Sequence, residues 1–112
     1  MDLTQKHCVP CEGGTAPLTK KEAEVMMQNV PGWRLMQDAK KGLLSIGRDF
    51  EFRDFKEAMA FVNKVADVAN AEDHHPDIYI FYNVVKLQLS THAIGGLSEN
   101  DFIVAAKTNK LL

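Results

Sequence analysis

Three of the four histidines in this chain lie in the stretch 70–101, where their spacing could serve proton-transfer chemistry. His74 and His75 are adjacent, and His92 follows a run of alternating apolar residues. The ordinary pKa of histidine, about 6.5, lets one ring act as a base while another acts as an acid. Asp73, next to the pair, can orient one ring or raise its pKa. Acid–base catalysis follows if the fold brings these rings together.

Each histidine also has a plainer interpretation. His74 and His75 fall between a predicted helix and a predicted strand, where they can be solvated or can cap free helix carbonyls, which is worth about 0.3–1 kcal/mol. His92 alone is typical of an exposed strand position. The rings converge only if the end of the helix and the exit of the strand share one rim of the sheet, which short hairpins allow.

A metal site is the main rival among catalytic interpretations, since histidine is a common zinc ligand. The side chains of His74 and His75 diverge because they are neighbours, and the chain has no H-x-x-x-H or H-x-H pair. We therefore expect no metal. Asp101 has two interpretations that stay open: a carboxylate of the site, or the partner of Ser98 in a helix-capping box.

Three capping signatures mark the starts of helices, at Thr19–Glu22, Asp54–Glu57 and Ser98–Asp101. The first helix is expected to end near residue 29, before a Pro-Gly pair, and the second near residue 71. The second helix has apolar residues at helical spacing, which predicts a buried face and the main contribution to the core. These residues are Phe55, Met59, Val62 and Val65.

Four β-rich runs, at 33–36, 43–50, 78–82 and 84–92, form two predicted hairpins. In the last run Val85, Leu87 and Leu89 alternate with polar residues, which places His92 on the polar face at the exit of the strand. The order helix, hairpin, helix, hairpin, helix predicts an α+β domain, with a four-stranded antiparallel sheet and three helices on one face. Unpaired edge strands favour a homo-oligomer.

Size and charge exclude several classes of protein. The 112 residues suit one domain, and a formal net charge of −2 gives no sustained positive field for a phosphate backbone, so we expect no direct nucleic-acid ligand. No apolar run approaches the roughly 20 residues that span a bilayer, and the first residues lack the apolar core of a secretory signal. We expect a cytoplasmic protein.

Residues 1–18 contain two prolines and two glycines and are predicted to form an extended leader, followed by a single domain over 19–112. Cys8 and Cys11 in the leader form a C-x-x-C beside His7. Redox motifs usually follow a strand and open a helix, and a structural zinc site needs about four ligands. We interpret the pair as reduced thiols, with metal binding as the alternative.

Several spaced elements together resemble the pterin-4a-carbinolamine dehydratase family. The signature is Asp73-His74-His75-Pro76, followed by Tyr82, His92 and Asp101 at the spacing of that family. The segments Gly32-Trp33, Phe50-x-Phe52-x-Asp54-Phe55, Ser90-Thr91-His92 and Gly96-Leu97-Ser98-Glu99 also resemble it. The likeness extends from about Leu18 to Lys107.

The resemblance implies an α-β-β-α-β-β-α fold, assembled as homodimers or homotetramers. It implies an enzyme that removes water from 4a-hydroxytetrahydropterin to give quinonoid dihydropterin, in the recycling of the cofactor of aromatic amino-acid hydroxylases. The reaction implied uses neither metal nor organic cofactor, since the pterin is the substrate. A functional link to such a hydroxylase is a further expectation.

The resemblance also implies roles for individual residues. His74, His75 and His92 are the expected catalytic and substrate-positioning imidazoles, and Asp73, Ser90, Thr91 and Ala93 are expected to line the pterin site. Asp101, Asn70 and Glu72 are candidate supporting residues. Asn70 occupies the position, four residues before His74, where the family often has an acidic residue.

A protein-binding role is the alternative function. The same family includes a dimerisation cofactor of a homeodomain transcription factor, which acts through helix packing and not through the histidines. Exposed apolar positions on the first or final helix favour that role.

Overall fold

The computed structural model describes residues 2–10 and 15–112, which form one sheet and three main helices. The strands are β1 (Arg34–Gln37), β2 (Leu44–Glu51), β3 (Asp77–Phe81) and β4 (Val84–Leu89), and the helices are α1 (Lys20–Met26), α2 (Phe55–Glu72) and α3 (Glu99–Asn109). Single 3-10 turns occupy Leu3–Gln5, Met27–Asn29 and His92–Ile94. The predicted α+β fold and its order of elements are confirmed.

The sheet is antiparallel throughout, in the order β1-β2-β4-β3. The central pair, β2 and β4, places Ile46 beside Leu89 and Phe50 beside Val85, and all four side chains are buried. Because side chains alternate along a strand, the residues between them face away from the core. The predicted inward positions of β4 are therefore confirmed, and the helices cover this face.

Capping begins each helix where the sequence predicts it. Thr19 and Glu22 form a reciprocal capping box, with the Thr19 amide donating to Glu22 Oε1 at 2.9 Å and the Glu22 amide donating to Thr19 Oγ1 at 3.1 Å. Asp54 accepts from the Glu57 amide at 2.9 Å. These bonds satisfy amides that have no partner in the first helical turn.

The predicted apolar face of α2 was wrong at Phe55. Val62 and Val65 are buried as expected, together with Ala58 and Phe61, which the prediction omitted. Phe55 is the first helical residue, is 47% exposed, and stacks on Tyr82 with ring centroids 6.4 Å apart. The buried face of α2 therefore starts at Ala58.

The predicted leader contributes to the core through Leu3, which is 2% exposed. A 3-10 turn at Leu3–Gln5 lies against α3, and Lys6 Nζ pairs with Glu99 Oε1 at 2.9 Å. Cys8 is a free, partly buried thiol, whereas Cys11 lies outside the described residues. The division into a leader and one domain stays a prediction.

One edge of the sheet, β3, carries exposed apolar side chains: Tyr79 is 45% exposed, Ile80 37% and Phe81 61%. In the part of the chain that the structure describes, no helix has the length and apolar character needed to cross a membrane. The cytoplasmic location stays a prediction.

Candidate active site

The end of α2 presents the adjacent histidines. Asp73 adopts a left-handed conformation, with φ 51° and ψ 41°, and the amide of His74 donates to Ala69 O at 3.1 Å. Aspartate tolerates this region better than most residues. The reversal of the chain at Asp73 ends the helix and directs His74 and His75 into the loop before β3.

The buried carboxylate of Asp101 contacts the imidazole of His74. Its Nε2 lies 2.6 Å from Asp101 Oδ1, and the side chains are 12% and 0% exposed. Asp101 Oδ2 also accepts from Thr91 Oγ1 at 2.8 Å and from the Ser98 amide at 3.0 Å. Since a carboxylate oxygen accepts, we assign a ring hydrogen to Nε2 of His74, and Nδ1 is the ring nitrogen that Asp101 does not contact.

The two interpretations of Asp101 are compatible. Its carboxylate closes the capping box of α3 through the Ser98 amide, and the same group contacts His74. The start of α3 is thus tied to the loop that follows α2. One buried carboxylate fixes both a helix terminus and the orientation of an imidazole.

His75 is exposed, and its Nε2 lies 3.0 Å from Asn70 Oδ1. Asn70, one of the expected supporting residues, therefore contacts a histidine. Glu72 has another set of partners: its carboxylate accepts from Lys107 Nζ at 2.8 Å and from the Cys8 amide at 2.7 Å, and it lies 3.0 Å from His7 Nδ1.

Burial alone would raise the pKa of Glu72, whose side chain is 5% exposed. The hydrogen bonds from Lys107, from the Cys8 amide and from His7 outweigh burial and lower the pKa to about 2. Glu72 is thus a permanently charged anchor at neutral pH. Its contacts are with Lys107, Cys8 and His7, not with His74 or His75, so they do not support a role for Glu72 in proton transfer.

The predicted strand through His92 was too long by three residues, because β4 ends at Leu89. A tight loop replaces it: the Thr91 amide donates to Gly96 O at 2.7 Å, and the Gly95 amide donates back to Thr91 O at 3.1 Å. Gly95 closes this loop with φ 69°, which suits glycine. His92 is therefore exposed on a 3-10 turn and does not continue the polar face of the strand.

These segments line a partly open cavity of about 700 Å³. The three histidines share its wall with the other predicted lining residues. Asn70 and Asp101 are not among the lining residues, but each contacts one of the histidines. Among residues 2–10 and 15–112, sequence reasoning missed five that line the cavity. The predicted members of the wall are Asp73, His74, His75, Ser90, Thr91, His92, Ala93 and Glu72, and the missed ones are Cys8, Val9, Pro10, Ala71 and Asn100.

The wall is chemically suited to a polar ligand. Imidazoles can donate or accept, whereas the Thr91 hydroxyl is already engaged by Asp101 and Ser98. Across residues 2–10 and 15–112, no three His, Cys, Asp or Glu side chains are grouped as metal ligands. The arrangement can move protons to and from a bound small molecule.

The family model for pterin 4 alpha carbinolamine dehydratase matches residues 16–111. The chain belongs to the pterin-4a-carbinolamine dehydratase family. A protein of Halorhodospira halophila, provisionally named pterin-4-alpha-carbinolamine dehydratase, is 51% identical over 99% of this chain and 98% of its own length. A protein of Nitrosomonas eutropha with the same provisional name is 49% identical over 99% of this chain and 94% of its own length.

Solved structures agree with this membership of the dehydratase family. A transcriptional coactivator/pterin dehydratase from Brucella melitensis is 34% identical, covers 85% of this chain and 97% of its own, and has a TM-score of 0.76. A pterin dehydratase-like protein identified as a RuBisCO assembly factor in the alpha-carboxysome is 19% identical with a TM-score of 0.60, over 74% of this chain and 92% of its own. The second likeness concerns the fold alone.

Proposed function

We propose that this protein dehydrates a 4a-hydroxytetrahydropterin to the quinonoid dihydropterin by histidine acid–base catalysis. The observation that carries the proposal is the meeting of His74, His75 and His92, from two distant segments, on the wall of one cavity. Membership of the dehydratase family supports the choice of a pterin as the ligand.

The reaction requires two proton transfers. The bond between C4a and the hydroxyl oxygen breaks, and the oxygen leaves as water after taking a proton from an acid. A base removes the proton on N5, and the N5–C4a double bond forms. Each transfer, when a placed side chain catalyses it, typically contributes about 10²- to 10⁴-fold.

The chain offers imidazoles for both transfers. In this proposal His74 and His92 share the acid and base roles, while His75 mainly holds the substrate. His74 has a fixed orientation because its Nε2 contacts buried Asp101, so its other nitrogen has a defined direction. Asp73, Ser90, Thr91 and Ala93 complete the proposed pterin site. The reaction as proposed needs no metal or organic cofactor.

The test is stopped-flow decay of a 4a-hydroxypterin with and without protein. That intermediate dehydrates unaided, so only acceleration counts. We expect acceleration by the wild type and a loss of about 100-fold or more in kcat for His74→Ala and for His92→Ala, each checked for folding by circular dichroism. Near-normal turnover by both folded variants rejects the assignment.

The supply of substrate follows from its chemistry. A 4a-hydroxypterin arises when a reduced pterin gives one oxygen atom of O₂ to another molecule, as in aromatic hydroxylation. We therefore propose a functional link to an aromatic amino-acid hydroxylase. Neither nucleic acid nor a membrane is needed as a partner.

We also propose that two copies join at the edge strand β3, forming a homodimer. The support is the row of exposed apolar side chains on an edge whose outer hydrogen-bonding groups face no other strand of this sheet. Sedimentation at increasing concentration tests this: Ile80→Lys is expected to shift the protein toward monomer, and an unchanged mass overturns the choice of edge.

The transcription-factor partner role has weaker support. The Brucella melitensis neighbour carries both descriptions, and Val25 on α1 is 60% exposed. On α3, however, the apolar residues 102–106 are buried in the core. The acid–base cavity therefore favours the enzymatic proposal.

A further inference from the structure

A short N-terminal segment adds a second kind of surface to the cavity. We call residues 8–10 the strap, and all three of them, Cys8, Val9 and Pro10, line the cavity that holds the histidines. The strap lies outside residues 16–111, which the family model matches. The relatives from Halorhodospira halophila and Nitrosomonas eutropha align over 99% of the chain.

Two buried side chains hold the strap in place. Glu72 accepts from the Cys8 amide at 2.7 Å, and Asn100 makes two bonds to Val9, donating from Nδ2 to its carbonyl at 2.6 Å and accepting from its amide at 3.0 Å. Glu72 is 5% exposed and Asn100 is 4% exposed. Bonds to fixed interior groups position the strap as part of the wall.

The strap offers the cavity an uncharged surface. The Cys8 amide and both backbone polar groups of Val9 are occupied by Glu72 and Asn100, and Pro10 has no amide hydrogen. Burial, together with the nearby Glu72 carboxylate, raises the pKa of the Cys8 thiol to about 12, so the thiol stays neutral. Val9 keeps 66% of its surface exposed. This aliphatic surface contrasts with the imidazoles of the same cavity.

We propose that the strap is a specificity element of the ligand site, in which Val9 and Pro10 pack against the apolar part of a bound pterin while the imidazoles contact its polar edge. The proposal rests on the proposed function for the identity of the ligand. A reduced pterin has such a division, since its nitrogen and oxygen atoms lie along the ring edge and its ring faces and carbon substituent are less polar. The strap then selects among pterins without taking part in proton transfer.

The test compares valines of similar exposure. Val9→Ser removes the apolar contact, Val9→Leu keeps it, and Val25→Ser changes a valine on α1 that is 60% exposed and outside the cavity. We expect Val9→Ser to raise KM about 3- to 10-fold with kcat within about twofold of the wild type. Val9→Leu is expected to stay within about twofold in KM, and Val25→Ser to match the wild type.

A second variant tests the anchor. Asn100→Ala removes both bonds to Val9 and is expected to raise KM in the same direction as Val9→Ser. If Asn100 served stability alone, the variant would unfold at lower urea concentration with KM unchanged. The proposal is overturned if Val9→Ser and Asn100→Ala both fold and both have the KM of the wild type. If Asn100→Ala does not fold, the KM of Val9→Ser alone decides.

Direct binding separates this proposal from the proposed function. The probe is a 7,8-dihydropterin, which keeps the bicyclic ring and lacks the C4a hydroxyl, with Kd measured by calorimetry. A higher Kd for Val9→Ser than for the wild type supports the role of the strap, even if the wild type does not accelerate dehydration. Failure to accelerate dehydration refutes only the dehydratase role. Acceleration by the wild type with no effect of Val9→Ser on KM or Kd refutes only the strap. Absence of both acceleration and binding overturns both.

Discussion

Two parts of the cavity wall are built on two buried carboxylates that work in different ways. Asp101, at 0% exposure, holds His74, Thr91 and the Ser98 amide, all within the family domain. Glu72, at 5% exposure, joins Lys107 to the strap through the Cys8 amide. One carboxylate orients the imidazole of His74, whereas the other fastens a chain segment. Asp101 and Glu72 are therefore similarly buried but differ in what they hold in place.

The sharpest way to break this comparison is Asp101→Asn. The amide cannot accept all three bonds of the carboxylate, so His74 loses its fixed orientation and its assigned tautomer. We expect kcat to fall about 100- to 1000-fold, measured by stopped flow. Asp54→Asn, at the capping carboxylate of α2, is the matched control and is expected to keep its turnover. Equal losses in the two variants would reduce Asp101 to a capping residue.

Glu72 is predicted to affect stability more than turnover. The pKa of this carboxylate falls from 4.5 to about 2 on folding, so the unfolded chain binds more protons between those values and stability rises with pH. The stabilisation is complete above pH 4.5 and is lost as pH falls through 2. Glu72→Gln is expected to lower the free energy of unfolding by about 2–4 kcal/mol at pH 7, measured with urea.

A surface pair provides the control for Glu72. Lys6 and Glu99 are 2.9 Å apart, close to the 2.8 Å between Lys107 and Glu72, but their side chains are 44% and 47% exposed. Water screens such a pair, so Glu99→Gln is expected to change stability by less than about 0.5 kcal/mol. If Glu72→Gln and Glu99→Gln unfold at the same urea concentration, the buried and the exposed ion pair contribute equally to stability, which contradicts this prediction.

The smallest effect is expected at Asn70. Its amide contacts His75, the exposed ring that mainly holds substrate in the proposal. Asn70→Ala is expected to raise KM about 2- to 5-fold and to leave kcat within about twofold. If kcat of Asn70→Ala falls as much as that of Asp101→Asn, the main proton-transfer role belongs to His75 and not to His74.

Periodicity and capping predicted most of the fold. The inward side chains of β4 followed from strict alternation, and the three helix starts followed from their capping residues. The errors lie at ends of elements. Periodicity cannot report that Gly95 and Gly96 close a loop on Thr91, or that Phe55 stacks on Tyr82 at the surface.

The site was predicted in part for the same reason. The histidines have a chemical signature, so they could be named from the sequence and are found on one cavity. Val9 and Pro10 have no such chemical signature. The position of their segment depends on hydrogen bonds from Cys8 to Glu72 and between Val9 and Asn100, residues more than 60 positions apart in the chain. Contacts at that separation arise only from tertiary structure.

The most direct test of the central claim uses the four histidines as reporters. Titration with a 7,8-dihydropterin, followed by NMR of the ring C–H signals, is expected to shift His74, His75 and His92 along one binding curve. His7, which is 82% exposed and outside the cavity wall, is expected to move least. Shifts of the three rings with unrelated midpoints, or at His7 alone, would contradict a single site shared by the distant imidazoles.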